Sequence, residues 1–210
     1  MTTTTIYLTR HGQTEWNVQH RMQGHQDSAL TPLGIQQAEW LAQGMQGTVL
    51  DAVYASPSLR AFRTAEIIRG ERNIPLHAAE AFMELGLGEW EGRTSEENEV
   101  THPDQYSYFW EDPIKFKIKD SETFEEVKLR ALAKLQDIVA AHRGQSVLIV
   151  THTVVIKVLM THLEGRPLHK LWDLPYIHPT CLNRIDFKDG SHEIVLHGDI
   201  SHYESDADEV

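Results

Sequence analysis

The sequence predicts an α/β protein: a three-layer α/β/α sandwich around a mostly parallel central sheet, with an antiparallel edge strand and a helical excursion over one end of the sheet. Three observations lead there. Short apolar runs alternate with longer runs of helical period, the pattern of a parallel sheet covered by helices on both sides. One run, Val147-Leu148-Ile149-Val150, is continuously apolar, as a strand buried on both faces must be. The last two strand-like runs flank the turn Lys188-Asp189-Gly190 and so form a closing antiparallel pair.

The elements follow in order. Residues 4–9 read as a first strand ending at Arg10. Thr31-Pro32 supplies an N-cap and a first helical residue, after which Leu33, Ala38, Leu41, Ala42 and Met45 make one apolar face. Residues 51–55 form a short buried strand, and Ser56-Pro57 opens a helix running to about Arg69 by the same cap chemistry. Leu76 to Ala79 is a weaker strand. Thr123 to Glu126 is a capping box for a helix through about Ala141, with Val127, Leu132, Leu135, Ile138 and Val139 inward. A strand over residues 145–151 leads into a helix to about Leu163, and strands over 181–187 and 193–197 close the chain. Residues 93–120 fit no regular pattern; Tyr106, Tyr108, Phe109 and Trp110 point to the helical excursion.

The chain has 210 residues, enough for one well-buried core, and residues 1–203 are expected to form a single domain. Residues 204–210, with Glu204, Asp206, Asp208 and Glu209, read as an acidic, solvated tail. The single cysteine, Cys181, excludes an internal disulfide and fits a reducing compartment. Met1 to Thr5 lacks the basic region and apolar core of a signal peptide, and no apolar stretch approaches the roughly 18 residues of a membrane span, so a cytoplasmic protein without a membrane partner is expected. A net charge of −12 argues against nucleic acid as a partner, because phosphate backbones demand clustered Lys and Arg. It leaves room for one locally positive pocket in an acidic protein. The thirteen histidines show no tight ligand spacing, and no metal or other cofactor is expected.

Ligands of open α/β sheets bind beyond the carboxyl ends of the strands. Three strands here end in residues of one chemical kind: Arg10-His11-Gly12, then Ser56 to Arg60 with Arg63 one turn later, then Thr151-His152-Thr153 opening a helix. Two histidines and at least two arginines therefore meet at one rim beside helix N-termini, which favour anions. Arginine presents paired donors that match phosphoryl oxygens, and a neutral imidazole can attack phosphorus to give a covalent intermediate. Gly12 allows a sharp turn and a close backbone approach to a ligand.

Arg10-His11-Gly12 followed by Thr14, Trp16 and Asn17 resembles the signature of the histidine phosphatase superfamily, the phosphoglycerate-mutase-like proteins. The resemblance continues through Gln23-Gly24, Leu30-Thr31, Gly34 and Gln37-Ala38, then Ser56-Pro57-Ser58-Leu59-Arg60-Ala61 with Thr64-Ala65. It ends in Glu84 with Gly88-Glu89-Trp90-Glu91-Gly92, and in Val150-Thr151-His152. The blocks span residues 4 to about 160 in the family's order.

This resemblance implies the roles. His11 attacks phosphorus, while Arg10, Arg60 and His152 bind the phosphoryl oxygens, with Arg63 helping to hold the rim. Glu84, first acid before the Gly88 block, is the general acid and base, chosen over Glu80, Glu89 and Glu91. Asn17, Gln23 and Gly24 are implied substrate contacts. Thr153 stands where the family often has glycine; its backbone N–H is kept, and its side chain narrows the pocket.

The expected activity is hydrolysis of small phosphomonoesters through phosphohistidine, with a small phosphorylated metabolite as partner and inorganic phosphate as product. The alternative is a cofactor-dependent phosphoglycerate mutase, which by resemblance carries a longer basic segment after the Glu84 block. Here residues 93–120 are short, with Glu96, Glu97 and Glu99 near their start and no paired arginines. A third reading is a catalytically inactive binding module on the same fold. It would be expected to have lost a catalytic histidine or arginine, and none is missing.

Overall fold

The computed structural model describes residues 2–204, so the expected acidic tail lies, beyond Glu204, outside the described residues. Six strands form one mixed sheet in the order β3-β2-β4-β1-β5-β6: β1 (Thr4–Arg10), β2 (Ala52–Ala55), β3 (Leu76–Ala78), β4 (Ser146–Thr151), β5 (Leu182–Lys188) and β6 (Ser191–Asp199). Strands β1, β2, β3 and β4 pair in parallel, with β4 central between β2 and β1. β5 runs antiparallel to β1, and the hairpin through Asp189-Gly190 returns the chain as β6, so the antiparallel edge is two strands wide.

β4 shows why its run is apolar throughout. Val147 and Ile149 face a core that includes Ile6, Leu8, Val127, Leu135 and Val155, while Leu148 and Val150 face a second that includes Ala38, Leu41, Ala61 and Ile68. All four are fully buried, each contributing about 1.5–3 kcal/mol relative to exposure. The second core lies under α2 (Pro32–Gly44) and α3 (Leu59–Arg69), and the first under α6 (Phe124–Ala141) and α7 (Thr153–Leu163). These are the two outer layers of the sandwich.

The remaining helices are α1 (Glu15–Val18), a single turn closed by a Thr14–Asn17 capping box, and the excursion α4 (Ser95–Thr101) and α5 (Pro103–Glu111). Two 3₁₀ turns, Glu80–Phe82 and Gly88–Trp90, bracket Glu84. The aromatics of the excursion do not scatter over the surface. Phe109 packs on Trp90, Phe116, Phe124 and Trp172, with ring centroids 5.1–5.9 Å apart.

One helix start differs from expectation. α3 begins at Leu59, two residues after Pro57, and Ser58 gives no side-chain cap. The Asp27 carboxylate caps it from a distant loop, accepting from Leu59 N–H at 2.7 Å. The serines are committed elsewhere, to His152.

Candidate active site

β1 and β4 end side by side, which sets the two histidines together. The His11 N–H donates to the Thr151 carbonyl at 3.0 Å, continuing the ladder one residue past β1. The rings of His11 and His152 lie edge to face, 5.3 Å between centroids. Gly12 follows because two backbones meet there: a Cβ on Gly12 would stand 2.2 Å from the Gly34 carbonyl oxygen, and one on Gly34 would stand 2.0 Å from that of Gln13. The expected approach of Gly12 to a ligand is replaced by approach to α2. Its N–H donates to Thr64 Oγ1, and Gln13 N–H donates to the buried Gln37 side chain.

Each histidine is oriented by a hydrogen-bond partner, and for His11 that partner also fixes the tautomer. His11 Nδ1 lies 2.7 Å from the Gly12 carbonyl oxygen, which can only accept, so Nδ1 carries the proton and the Nε2 lone pair is free. His152 Nε2 lies 2.8 Å from Ser56 Oγ and 3.3 Å from Ser58 Oγ. Burial and then the charges of Arg60 and Arg10 hold His11 well below the usual imidazole range. His152, with no exposed surface, is lowered in the same way by burial and then Arg60. Both are neutral at pH 7.

The arginines are buried and anchored. Arg10 donates from Nη1 to the Ile177 carbonyl. Arg60 donates to the Gln26 and Gly24 carbonyls and pairs with Asp27 at 2.7 Å, so it binds the 24–27 loop while facing the cleft. Three buried nitrogens of this group lack a partner among the described residues: Arg10 Nε, Arg60 Nε and His152 Nδ1. Arg63, by contrast, is exposed and pairs with Glu66; the helix turns it away from the rim, and its expected role there is withdrawn.

Arg10, His11 and Arg60 line a cleft of about 590 Å³, and His152 lies fully buried behind them, its ring against that of His11. Glu84 borders the cleft, its carboxylate oxygens accepting from Leu85 N–H at 2.9 Å and Val154 N–H at 3.3 Å. Burial pushes this carboxyl above its ordinary value against those two bonds and the arginines. Asn17 Oδ1 closes the α1 cap, leaving its amide nitrogen toward the cleft. Gln23 is engaged at both ends, donating to Thr14 Oγ1 and accepting from Ser28, so only a small part of it borders the cleft. Gly24 has φ +54°, and a Cβ there would strike the Glu91 carboxylate at 2.1 Å. Thr153, the first residue of α7, also lines the cleft.

Beyond the arginines the wall is apolar and aromatic. Trp110 comes from the excursion, and Trp172, Leu174 and Tyr176 from the segment after α7; the two indoles pack tilted at 49°, 4.8 Å between centroids. Lys157, almost fully buried, donates from Nζ to the Asp173 and Pro175 carbonyls and so braces that segment. Sequence reasoning missed Ser56, Ser58 and Asp27, which support His152 and Arg60, and it missed this wall. The serines stood inside a recognised block; the wall had no local signal. Among the described residues no group of three or more His, Cys, Asp or Glu is placed to hold a metal ion, and no helix is long and apolar enough to cross a membrane.

Neutral imidazoles between buried guanidiniums at the carboxyl edge of a parallel sheet make an anion site, of the class used by phosphate-handling enzymes. The chain belongs to branch 1 of the histidine phosphatase superfamily, whose family model matches residues 6–200. The solved structure of Bacillus stearothermophilus YhfR superposes with a TM-score of 0.93 at 45% identity, covering 95% of this chain and 98% of that one. Phosphoserine phosphatase 1 of Hydrogenobacter thermophilus is 32% identical over 80% of this chain and 79% of its own length. The adenosylcobalamin/alpha-ribazole phosphatase of Salmonella typhimurium is 30% identical over 88% and 91%. These two relatives are named as small-molecule phosphatases of differing substrates.

Proposed function

We propose that this protein hydrolyses small phosphomonoesters through a phosphohistidine on His11. The carrying observation is that, among the described residues, Arg10 Nε, Arg60 Nε and His152 Nδ1 are buried without partners near an imidazole whose Nε2 lone pair is free. Buried donors left unpaired are costly, and a phosphoryl group supplies three acceptor oxygens for three of them.

In the first step the Nε2 lone pair of His11 forms the N–P bond as the P–O bond to the alcohol breaks. Glu84, whose carboxyl burial pushes above its ordinary value and so toward the protonated form, gives its proton to the departing alkoxide. Arg10, Arg60 and His152 Nδ1–H hold the phosphoryl oxygens as charge spreads over them. In the second step water attacks phosphorus, the Glu84 carboxylate takes its proton, and the N–P electron pair returns to Nε2. Inorganic phosphate leaves with the site restored.

Water is the acceptor on this reading, in place of a second substrate molecule as in a mutase. The cleft offers little to a second phosphate. Lys157 is bound to two carbonyls, and Arg21 commits its Nε to Gln19 and an Nη1 hydrogen to the Gly92 carbonyl. The aromatic wall suits an apolar or aromatic alcohol portion. That relatives are named phosphoserine and alpha-ribazole phosphatases supports a substrate among small phosphorylated metabolites.

The test is acid-quench trapping of phosphoenzyme from ³²P-labelled substrate together with phosphate release across a metabolite panel, with and without 2,3-bisphosphoglycerate. Hydrolysis independent of the bisphosphate is expected, and His11→Ala should abolish turnover and phosphoenzyme together. Primer-dependent isomerisation of 3-phosphoglycerate with little hydrolysis would favour the mutase, and comparable turnover by His11→Ala would refute the nucleophile.

A further inference from the structure

Glu84 sits in an irregular segment between two 3₁₀ turns, with no strand or helix to hold it. A general acid must meet the leaving oxygen within hydrogen-bond reach, so something else has to fix its backbone. One residue of the helix packed against this segment does so. Arg130, on α6, uses all five of its guanidinium N–H groups on two targets. Nη1 donates to the Ala81 and Met83 carbonyls, both at 2.8 Å, and Nη2 to the Glu84 carbonyl at 3.0 Å. Nε and the other Nη2 hydrogen grip the two oxygens of Glu122 at 2.9 and 2.8 Å.

The pair closes on both sides of Glu84. Three carbonyls before and at the acid are tied to Arg130, and Glu122 accepts the N–H of Gly86, two residues after it, at 2.9 Å. His25 adds a contact from the opposite loop, its Nε2 3.0 Å from the Glu84 carbonyl and 3.6 Å from Glu122. Glu122 is held far below the usual carboxylate range by His25, Arg130 and the Gly86 N–H, despite partial burial, and so stays ionised. Arg130 does not border the cleft. Three carbonyls converging without this guanidinium would have no shared donor, and the segment would spread.

We infer that Arg130, paired with Glu122, is a positioning residue that stakes both flanks of Glu84 and thereby sets the reach of the proton-donating carboxyl into the cleft. The inference rests on the acid role proposed for Glu84. Lysine cannot substitute, because an ammonium has three donors and no plane with which to span three carbonyls and a carboxylate.

The test compares two substrates in steady-state kinetics: p-nitrophenyl phosphate, whose leaving group needs no proton, and glycerol phosphate, whose leaving group does. In Arg130→Met, kcat/KM for glycerol phosphate, which reports the phosphoryl transfer to His11 and not the later hydrolysis that Glu84 also serves, should fall about 30-fold, since small misplacements of a reacting group carry losses of that order, while kcat/KM for p-nitrophenyl phosphate changes little. Arg130→Lys should fall between, and Glu122→Gln should reproduce the same leaving-group bias more weakly. If Arg130→Met does not fold, these two carry the comparison.

The pH profile gives a second readout. The groups facing the Glu84 carboxyl are Arg10, Arg60 and the N–H groups of Leu85 and Val154. A loosened segment admits water, so the basic limb of kcat/KM for glycerol phosphate should move to lower pH in Arg130→Met. Glu84→Gln is the control. If it shows the leaving-group bias and the Arg130 and Glu122 variants do not, the positioning role is wrong while the acid stands. If Glu84→Gln shows no bias, the acid assignment falls and the positioning role falls with it. Equal slowing of both substrates by Arg130→Met would mark Arg130 as a fold residue only.

Discussion

The two ends of the cleft are built in different ways. The phosphate end sits on adjacent parallel strands and the helices that follow them, and its side chains are buried and bonded to fixed partners. The aromatic end is assembled from α5 and the 171–179 segment, which belong to no strand, and much of it is exposed: Trp110 by 41%, Tyr176 by 61%. The nucleophile and the buried cations around it are carried by the sheet and the helices that follow it, Glu84 by a braced irregular segment, and contacts with a variable alcohol portion by loops, where substitution disturbs little else.

The contrast can be broken most forcefully at Arg60. Arg60→Ala should lower kcat/KM by roughly 10²–10³ for every substrate, as removal of one preorganised oxyanion donor does. It should also destabilise the protein, because Asp27 and two carbonyls lose their partner; thermal melting reads this separately. A loss confined to aromatic substrates would contradict the division.

The pH dependence should belong to the phosphate end alone. His11 must be neutral to attack, and its lowered pKa places the acid limb of kcat/KM below the ordinary imidazole range. Glu84 must be protonated, and its raised pKa keeps it so above the ordinary carboxylate range, with activity lost as pH rises through that value. Beyond either limb the fall is about tenfold per pH unit. Glu84→Gln should remove the basic limb for glycerol phosphate, and Tyr176→Ala should leave both limbs where they are.

At the aromatic end the effects are smaller and selective. Tyr176→Ala should raise KM for 1-naphthyl phosphate about fivefold, the scale of about 1 kcal/mol of aromatic contact, with KM for glycerol phosphate unchanged. Lys157→Met, which releases the Asp173 and Pro175 carbonyls, should raise KM for the aromatic substrate about threefold at constant kcat, a fraction of 1 kcal/mol from one loosened brace. Equal changes for both substrates in either variant would mean that the wall also shapes the phosphate end.

Legibility in the sequence follows the same line. The alternation of strands and helices, the double-faced burial of β4 and the capping boxes at Thr94 and Thr123 depend on neighbours a few residues apart, and local chemistry declares them; of these, only Thr94 passed unread. Ser56-Pro57 misled because the serine that would cap a helix is drawn to His152, and the cap comes from Asp27, some thirty residues upstream. Arg63 misled because two arginines one turn apart look alike in sequence, while the helix presents only one of them to the rim.

By itself the sequence determined the sheet, the outer layers, and the arrival of His11, Arg10, Arg60 and His152 at one edge, because periodicity and strand ends are local properties of the chain. The tertiary structure alone decided which nitrogen of His11 is free, how Arg130 and Glu122 enclose Glu84, and that Trp110 and Trp172 meet 4.8 Å apart in the wall of the cleft. Each of these is a contact between residues whose proximity no local pattern encodes, settled only when both cores pack against the sheet.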